Sequence, residues 1–94
     1  MPRIIVVYDV SDNNKRTKLS NYLKSKGLVR VQRSMFIGRV SSQTLKDVER
    51  GAKRIVDSGT DIVHIIPLTA YGYTHMKVIG NPLNKVREEK TVVI

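Results

Sequence analysis

Apolar and polar positions change their period several times along this chain, and each change marks an element. Residues Arg3 to Tyr8 form a continuous Ile/Val run, the pattern of a strand buried on both faces in the middle of a sheet. Asp9 ends the run. Ser11, Asp12 and Asn13 then offer side-chain oxygens for a helix N-cap, and Leu19, Tyr22 and Leu23 form an i, i+3, i+4 stripe that stops at Gly27. Ser41 or Ser42 caps a second helix, whose Leu45, Val48, Ala52, Ile55 and Val56 keep helical spacing until Gly59. Asp61 to Leu68 reads as a strong strand that Pro67 ends or confines to a sheet edge. Tyr73 to Ile79 predicts a weaker strand, and Lys90 to Ile94 a short terminal one.

Between Leu28 and Val40 the apolar parity breaks. Val29 and Val31 occupy odd positions and Phe36 and Val40 even ones, with Gln32-Arg33-Ser34 at the break. A strand changes its buried face only through an extra residue or a turn, so this is a bulged strand or a tight hairpin. Read as two short strands, it makes the order βαββαβ plus a C-terminal strand. That order predicts an α+β, ferredoxin-like antiparallel sheet with both helices on one face. Residues 1–80 form the domain, and 81–94 are a polar connector and an apolar terminal strand expected to add to a second subunit.

Composition sets the scale of the core. Ninety-four residues with 40% hydrophobic content make one domain, and a chain of this size buries only about 60–65% of its unfolded surface. A subunit partner would complete so thin a core, and a two-fold homodimer is the commonest arrangement. With no cysteine, disulfides, thiolate zinc sites and cysteine nucleophiles are excluded together. No apolar run approaches the roughly 20 residues that span a bilayer, and no signal-like segment opens the chain, so a soluble, cytoplasmic protein is expected.

Charge turns this frame toward a polyanion. The net charge is +9, and seven cations (Lys15, Arg16, Lys18, Lys24, Lys26, Arg30, Arg33) lie between Asn13 and Arg33 without a single acid. A one-signed block gains counterion-release free energy on nucleic acid irrespective of base sequence. From Lys46 to Asp57 the signs interleave instead. Asp9 stands at the end of a buried strand, next to the basic block, as a potential metal ligand beside phosphate-binding cations. Magnesium takes near-octahedral oxygen coordination, typically from one or two carboxylates plus water and phosphate. One chain offers Asp9, and two-fold symmetry would double it.

The stretch Tyr8-Asp9-Val10-Ser11-Asp12, Arg16 in the first helical turn, Gly27, and the segment Arg30-Val31-Gln32-Arg33-Ser34-Met35-Phe36-Ile37-Gly38 resemble the Cas two family of small CRISPR adaptation proteins. The resemblance runs over about residues 1–80. It implies a homodimer that bridges the Cas one integrase during spacer acquisition, and metal-dependent endonuclease activity on RNA or double-stranded DNA. By this resemblance Asp9 is the magnesium ligand, and Tyr8, Arg16, Arg30 and Phe36 surround the catalytic cleft. Lys18 stands where relatives can carry arginine, which keeps the charge but loses the bidentate fork for phosphate. Lys15, Arg16, Lys18, Arg30 and Arg33 make up the expected nucleic-acid contacts.

Each of these residues has a structural reading as well. Asp12 sits where an oxygen must satisfy free helix N–H groups. Tyr8 either stacks a base or packs in the core with its hydroxyl at the rim, and Phe36, the single Phe, is a packing residue on pattern alone. Arg16 can pair with Asp9 or with phosphate. His64, inside an Ile/Val run, reads as a neutral core or interface imidazole, and His75 as a surface residue. A DNA-binding scaffold without chemistry, and a ferredoxin-like regulatory domain unrelated to CRISPR, are the alternative functions.

Overall fold

The computed structural model describes residues 2–83 and a two-residue strand at 92–93. Strand β1 (Arg3–Asp9) leads into helix α1 (Asn13–Ser25), strands β2 (Val29–Gln32) and β3 (Met35–Arg39), helix α2 (Ser42–Ile55) and strand β4 (Ile62–Leu68). A short helix α3 (Ala70–Thr74), strand β5 (Lys77–Val78) and strand β6 (Val92–Val93) follow. The main sheet has the order β2-β3-β1-β4, antiparallel at every pairing. This is the ferredoxin-like arrangement expected from the element order. Strand β1 is central, and β4 is an edge, which is where Pro67 is tolerated.

The local chemistry accounts for the boundaries. Asp12 is the N-cap of α1, its carboxylate accepting from the Lys15 N–H at 2.9 Å. At the other end Gly27 has φ +87°, the left-handed conformation that glycine adopts without strain. It lets the Leu28 N–H reach the Leu23 carbonyl at 3.2 Å and the Gly27 N–H reach Lys24 at 3.0 Å, a Schellman closure that brings buried Leu23 and Leu28 together. Ser41 caps α2, accepting from the Thr44 N–H. The parity break is a hairpin turning at Arg33-Ser34, and it also carries a register shift between Arg30 and Gln32. By strand alternation Arg30, paired with Phe36, faces the helices, while Val31 is buried on the opposite face with Ile37.

The sheet packs on both faces, unequally. Ile4, Val6, Tyr8 and Phe36 meet Leu19 and Leu23 of α1 and Val48 and Ala52 of α2 in the principal core. The two helices touch closely at Gly51, where a Cβ would come within 2.2 Å of the Tyr22 ring. The Tyr22 hydroxyl donates to the Asp47 carbonyl at 2.6 Å and holds the ring in place. On the opposite face, called open below, Ile5, Val31 and Ile37 pack with Tyr73 in a smaller cluster.

The structure corrects the sequence reading in the region of residues 70–79. Tyr73 does not open a strand; it belongs to α3, capped by Thr69, and only Lys77–Val78 is extended. Strand β6 pairs in parallel with β5 of the same chain. Of the expected connector, residues 84–89 lie outside the described residues, as do Lys90, Thr91 and Ile94 of the expected terminal strand. His64 is not a core residue: it stands exposed on the open face of β4, opposite Val7. His75 is exposed and stacks on Tyr71 with ring centroids 4.0 Å apart.

Candidate nucleic-acid interface

Strand pairing places Asp9. Its backbone is paired to Ile62 of β4, but the pairing of β1 with β3 stops at Val7 and Met35. Asp9 therefore projects past the end of β3, exposed, on the parity of Ile5 and Val7. The hairpin turn fills the neighbouring space. The Tyr8 N–H donates to the Ser34 carbonyl at 3.0 Å, and the Tyr8 hydroxyl donates to the Arg33 carbonyl at 3.4 Å. Tyr8 is thus a core residue whose polar end fixes the turn that carries Arg33.

The arginines arrive from three elements. Arg16, in the first turn of α1, donates through Nη1 to the Val10 carbonyl at 2.8 Å and through Nη2 to Asn13 Oδ1. No ion pair joins it to Asp9 among the described residues; the guanidinium closes the strand-to-helix turn instead. Arg30, on β2, donates through Nη2 to Ser20 Oγ at 2.6 Å, and its guanidinium lies 5.5 Å from the Phe36 ring centroid. Phe36 is fully buried and stacks with Tyr8 at 6.3 Å. The two aromatic rings form a floor beneath the Arg30 guanidinium.

Asp9, Arg16, Arg30, Arg33, Thr17 and Ser34 line one cleft of about 490 Å³ together with Val10. Four of the expected residues converge here, with three guanidiniums around one carboxylate. Tyr8 and Phe36 lie beneath the cleft rather than in its lining. Lys15 and Lys18 lie outside it on α1, Lys15 half-buried and Lys18 exposed. Thr17, Ser20 and Ser34 escaped the sequence reading. Ser34 stood inside the Gln-x-Ser segment, and Thr17 adjoined Arg16, so both carried a signal; Ser20 is a buried polar residue in an apolar stripe, which only packing reveals.

Beside the cleft, Asp61 ties the start of β4 to the start of α1. Its carboxylate accepts from the Asp57 N–H at 2.9 Å and from the Ser11 N–H at 3.4 Å. The Asp57 N–H bond is the largest cause holding the Asp61 carboxyl below the usual carboxylate range, with Ser11, Thr60 and the Lys15 charge acting in the same direction. No group of three or more His, Cys, Asp or Glu side chains suited to a metal occurs among the described residues. Among the described residues the one carboxylate that lines the cleft is Asp9, which is exposed. No helix among the described residues is long and apolar enough to cross a membrane.

Comparison with known proteins agrees with this geometry. The family model for CRISPR associated protein Cas2 matches residues 1–76. The chain is 39% identical over 84 residues to the CRISPR-associated endonuclease Cas2 2 of Thermus thermophilus, covering 88% of each protein. It is 34% identical over 88 residues to the CRISPR-associated endoribonuclease Cas2 1 of Archaeoglobus fulgidus, covering 94% of each. A protein of Thermoproteus tenax named as a Cas1 and Cas2 endonuclease fusion is 38% identical over 60 residues, which is 63% of this chain and 23% of that protein. The crystal structure of a hypothetical protein from Thermus thermophilus superposes with a TM-score of 0.69 at 39% identity, covering 73% of this chain and 83% of the other. With matched sequence, matched fold and the Tyr8-Asp9 strand end inside the matched region, the chain belongs to the CRISPR associated protein Cas2 family.

Proposed function

We propose that this protein acts in CRISPR adaptation as a homodimer that binds nucleic acid through the Asp9 cleft, with a metal-dependent endonuclease activity centred on Asp9. The observation that carries the reading is the convergence of Asp9 with Arg16, Arg30 and Arg33 on one cleft. Two guanidiniums already oriented, Arg16 by the Val10 carbonyl and Arg30 by Ser20 and the Phe36 ring, can grip a phosphodiester without first being ordered. In the transition state the same groups offset charge building on the phosphate oxygens.

The open face of the sheet supports the dimer. Val29, Ile62 and Ile66 are 45%, 51% and 43% exposed, an apolar group of the kind that soluble chains cover with a partner. Pairing two copies across this face would bring two Asp9 carboxylates together, and the β5–β6 ribbon would pack on the partner's β4 edge. The paired Asp9 residues would hold Mg²⁺, which when bound polarises the phosphoryl group and lowers the pKa of water. The Thermoproteus tenax fusion supports the Cas1 integrase as a partner.

A second reading, a scaffold that holds the backbone without cutting it, is favoured by the single carboxylate per cleft. One substitution separates the two. Asp9→Asn retains or strengthens nucleic-acid binding because a negative charge leaves a basic cleft, and under the nuclease reading it abolishes magnesium-dependent cleavage. The check is cleavage and binding of single- and double-stranded RNA and DNA, with magnesium and with chelator. Wild-type protein that binds but never cuts leaves the scaffold, and wild-type protein that does neither sinks both.

A further inference from the structure

The charges of α2 change meaning once the helix is wound. In linear order Lys46, Asp47, Glu49, Arg50, Lys53 and Arg54 mix their signs. At 3.6 residues per turn, Lys46, Arg50 and Lys53 fall at i, i+4 and i+7 in one stripe, on the side away from the buried Val48, Gly51 and Ala52. All three are exposed, as is Arg54 beside them. One of the two acids leaves this stripe and the other borders it. Asp47 turns toward α1, where its Oδ2 lies 3.7 Å from Lys26 Nζ and its Oδ1 accepts from Gln43 Nε2 at 3.0 Å. Glu49, exposed, borders the stripe on the other flank, three residues from Lys46 and four from Lys53, and lines the groove toward β4 together with Lys53, Val63 and Ile65.

What remains outward is a predominantly cationic row, with Lys46, Arg50, Lys53 and Arg54 exposed and Glu49 at its edge. None of its members pairs with an acid among the described residues, although like charges four apart disfavour a helix. A polyanion would remove that penalty. From Lys46 to Lys53 the helix advances about 10 Å, a length over which one DNA strand presents about three phosphates. The stripe holds no apolar side chain of the kind that anchors a protein partner. It is also separate from the Asp9 cleft, to which α2 contributes no residue.

We propose that the outer face of α2 is a second nucleic-acid backbone site, independent of the cleft, so that the protein holds two nucleic-acid segments at once. Contact is to phosphate and is not base-specific. The test uses the full chain and two populations of a short random-sequence DNA duplex, labelled with a donor and an acceptor fluorophore. Three proteins are compared: wild type, Lys46→Gln/Arg50→Gln/Lys53→Gln, and the cleft variant Arg16→Gln/Arg30→Gln.

Wild type brings the two labels together. The α2 variant loses energy transfer yet still binds duplex, and the slope of log affinity against log salt falls by about 2–3, as for three lost phosphate contacts. Binding, salt slope and energy transfer identical to wild type would overturn the proposal and assign the row to an acidic protein surface. A markedly lower melting temperature of the α2 variant would also overturn it, because exposed cations without internal partners leave the fold unchanged. The cleft reading is tested separately. A cleft variant that binds duplex as well as wild type removes that reading and leaves the α2 site standing.

Discussion

The two faces of the sheet are built from the same strands and end up in different states. On the helical face Ile4 and Val6 are fully buried and Phe36 has no exposed surface, because α1 and α2 close over them. On the open face the alternate residues of β1 and β3 are covered only by Tyr73 and its neighbours, and on β4 Ile62 and Ile66 stay half in solvent. One face is a finished core; the other is an apolar surface awaiting a second layer. The difference shows where stability and assembly reside. Stability of the single chain lies on the helical face, while the open one, with Asp9 at its margin, is the face on which the proposed dimer depends.

Substitutions on the two faces test this division. Phe36→Ala should lower unfolding free energy by about 3–5 kcal/mol, read from urea unfolding, and Ile66→Ala by less than about 1 kcal/mol in the monomer because half of the side chain is already wet. Equal losses would erase the distinction between the faces. Ile62→Asp with Ile66→Asp should leave the chain folded and weaken self-association more than about a hundredfold, or about 2.8 kcal/mol. Light scattering that gives the same molar mass as wild type would remove the open face from the proposed dimer.

The smallest effect sharpens the boundary between strand and helix layers at Asp61. Its folded pKa is lowered, so its contribution to stability is present above the unfolded carboxylate pKa and is lost as pH falls through the folded value. Asp61→Asn should therefore reduce stability slightly near neutral pH and not at all in strong acid. Urea midpoints of the two proteins that differ equally at both pH values would show that the carboxylate charge has no part in holding the loop.

Much of this architecture was legible from period alone. The unbroken Ile/Val run made β1 central, the parity break announced the hairpin, and Asp12, Gly27 and Ser41 punctuated the helices as cap chemistry requires. Helix α3 was not legible, since five residues are too few to show a helical period and Tyr71-Gly72-Tyr73 has strand-like composition; Thr69, whose hydroxyl accepts from the Gly72 N–H, was the available signal. The candidate site divides in the same way. Asp9 and the arginines stood out by charge, but Ser20 beneath Arg30 and the inward turn of Asp47 arise from packing between elements distant in sequence. Linear order also scored α2 as mixed in sign, because it does not show which acids the neighbouring helix withdraws.

The contact between Gly51 and Tyr22 carries a mechanical consequence. Tyr22 is pinned by its hydroxyl to the backbone of α2, so a methyl group at residue 51 has no soft atom to displace and must move a helix. Arg16 lies six residues earlier on the same rod, about 9 Å along its axis. The glycine thus acts as the fulcrum of a lever. The spacing of the helices, set where residue 51 has no side chain, is thereby one of the constraints on the helix that carries the Arg16 guanidinium to the cleft.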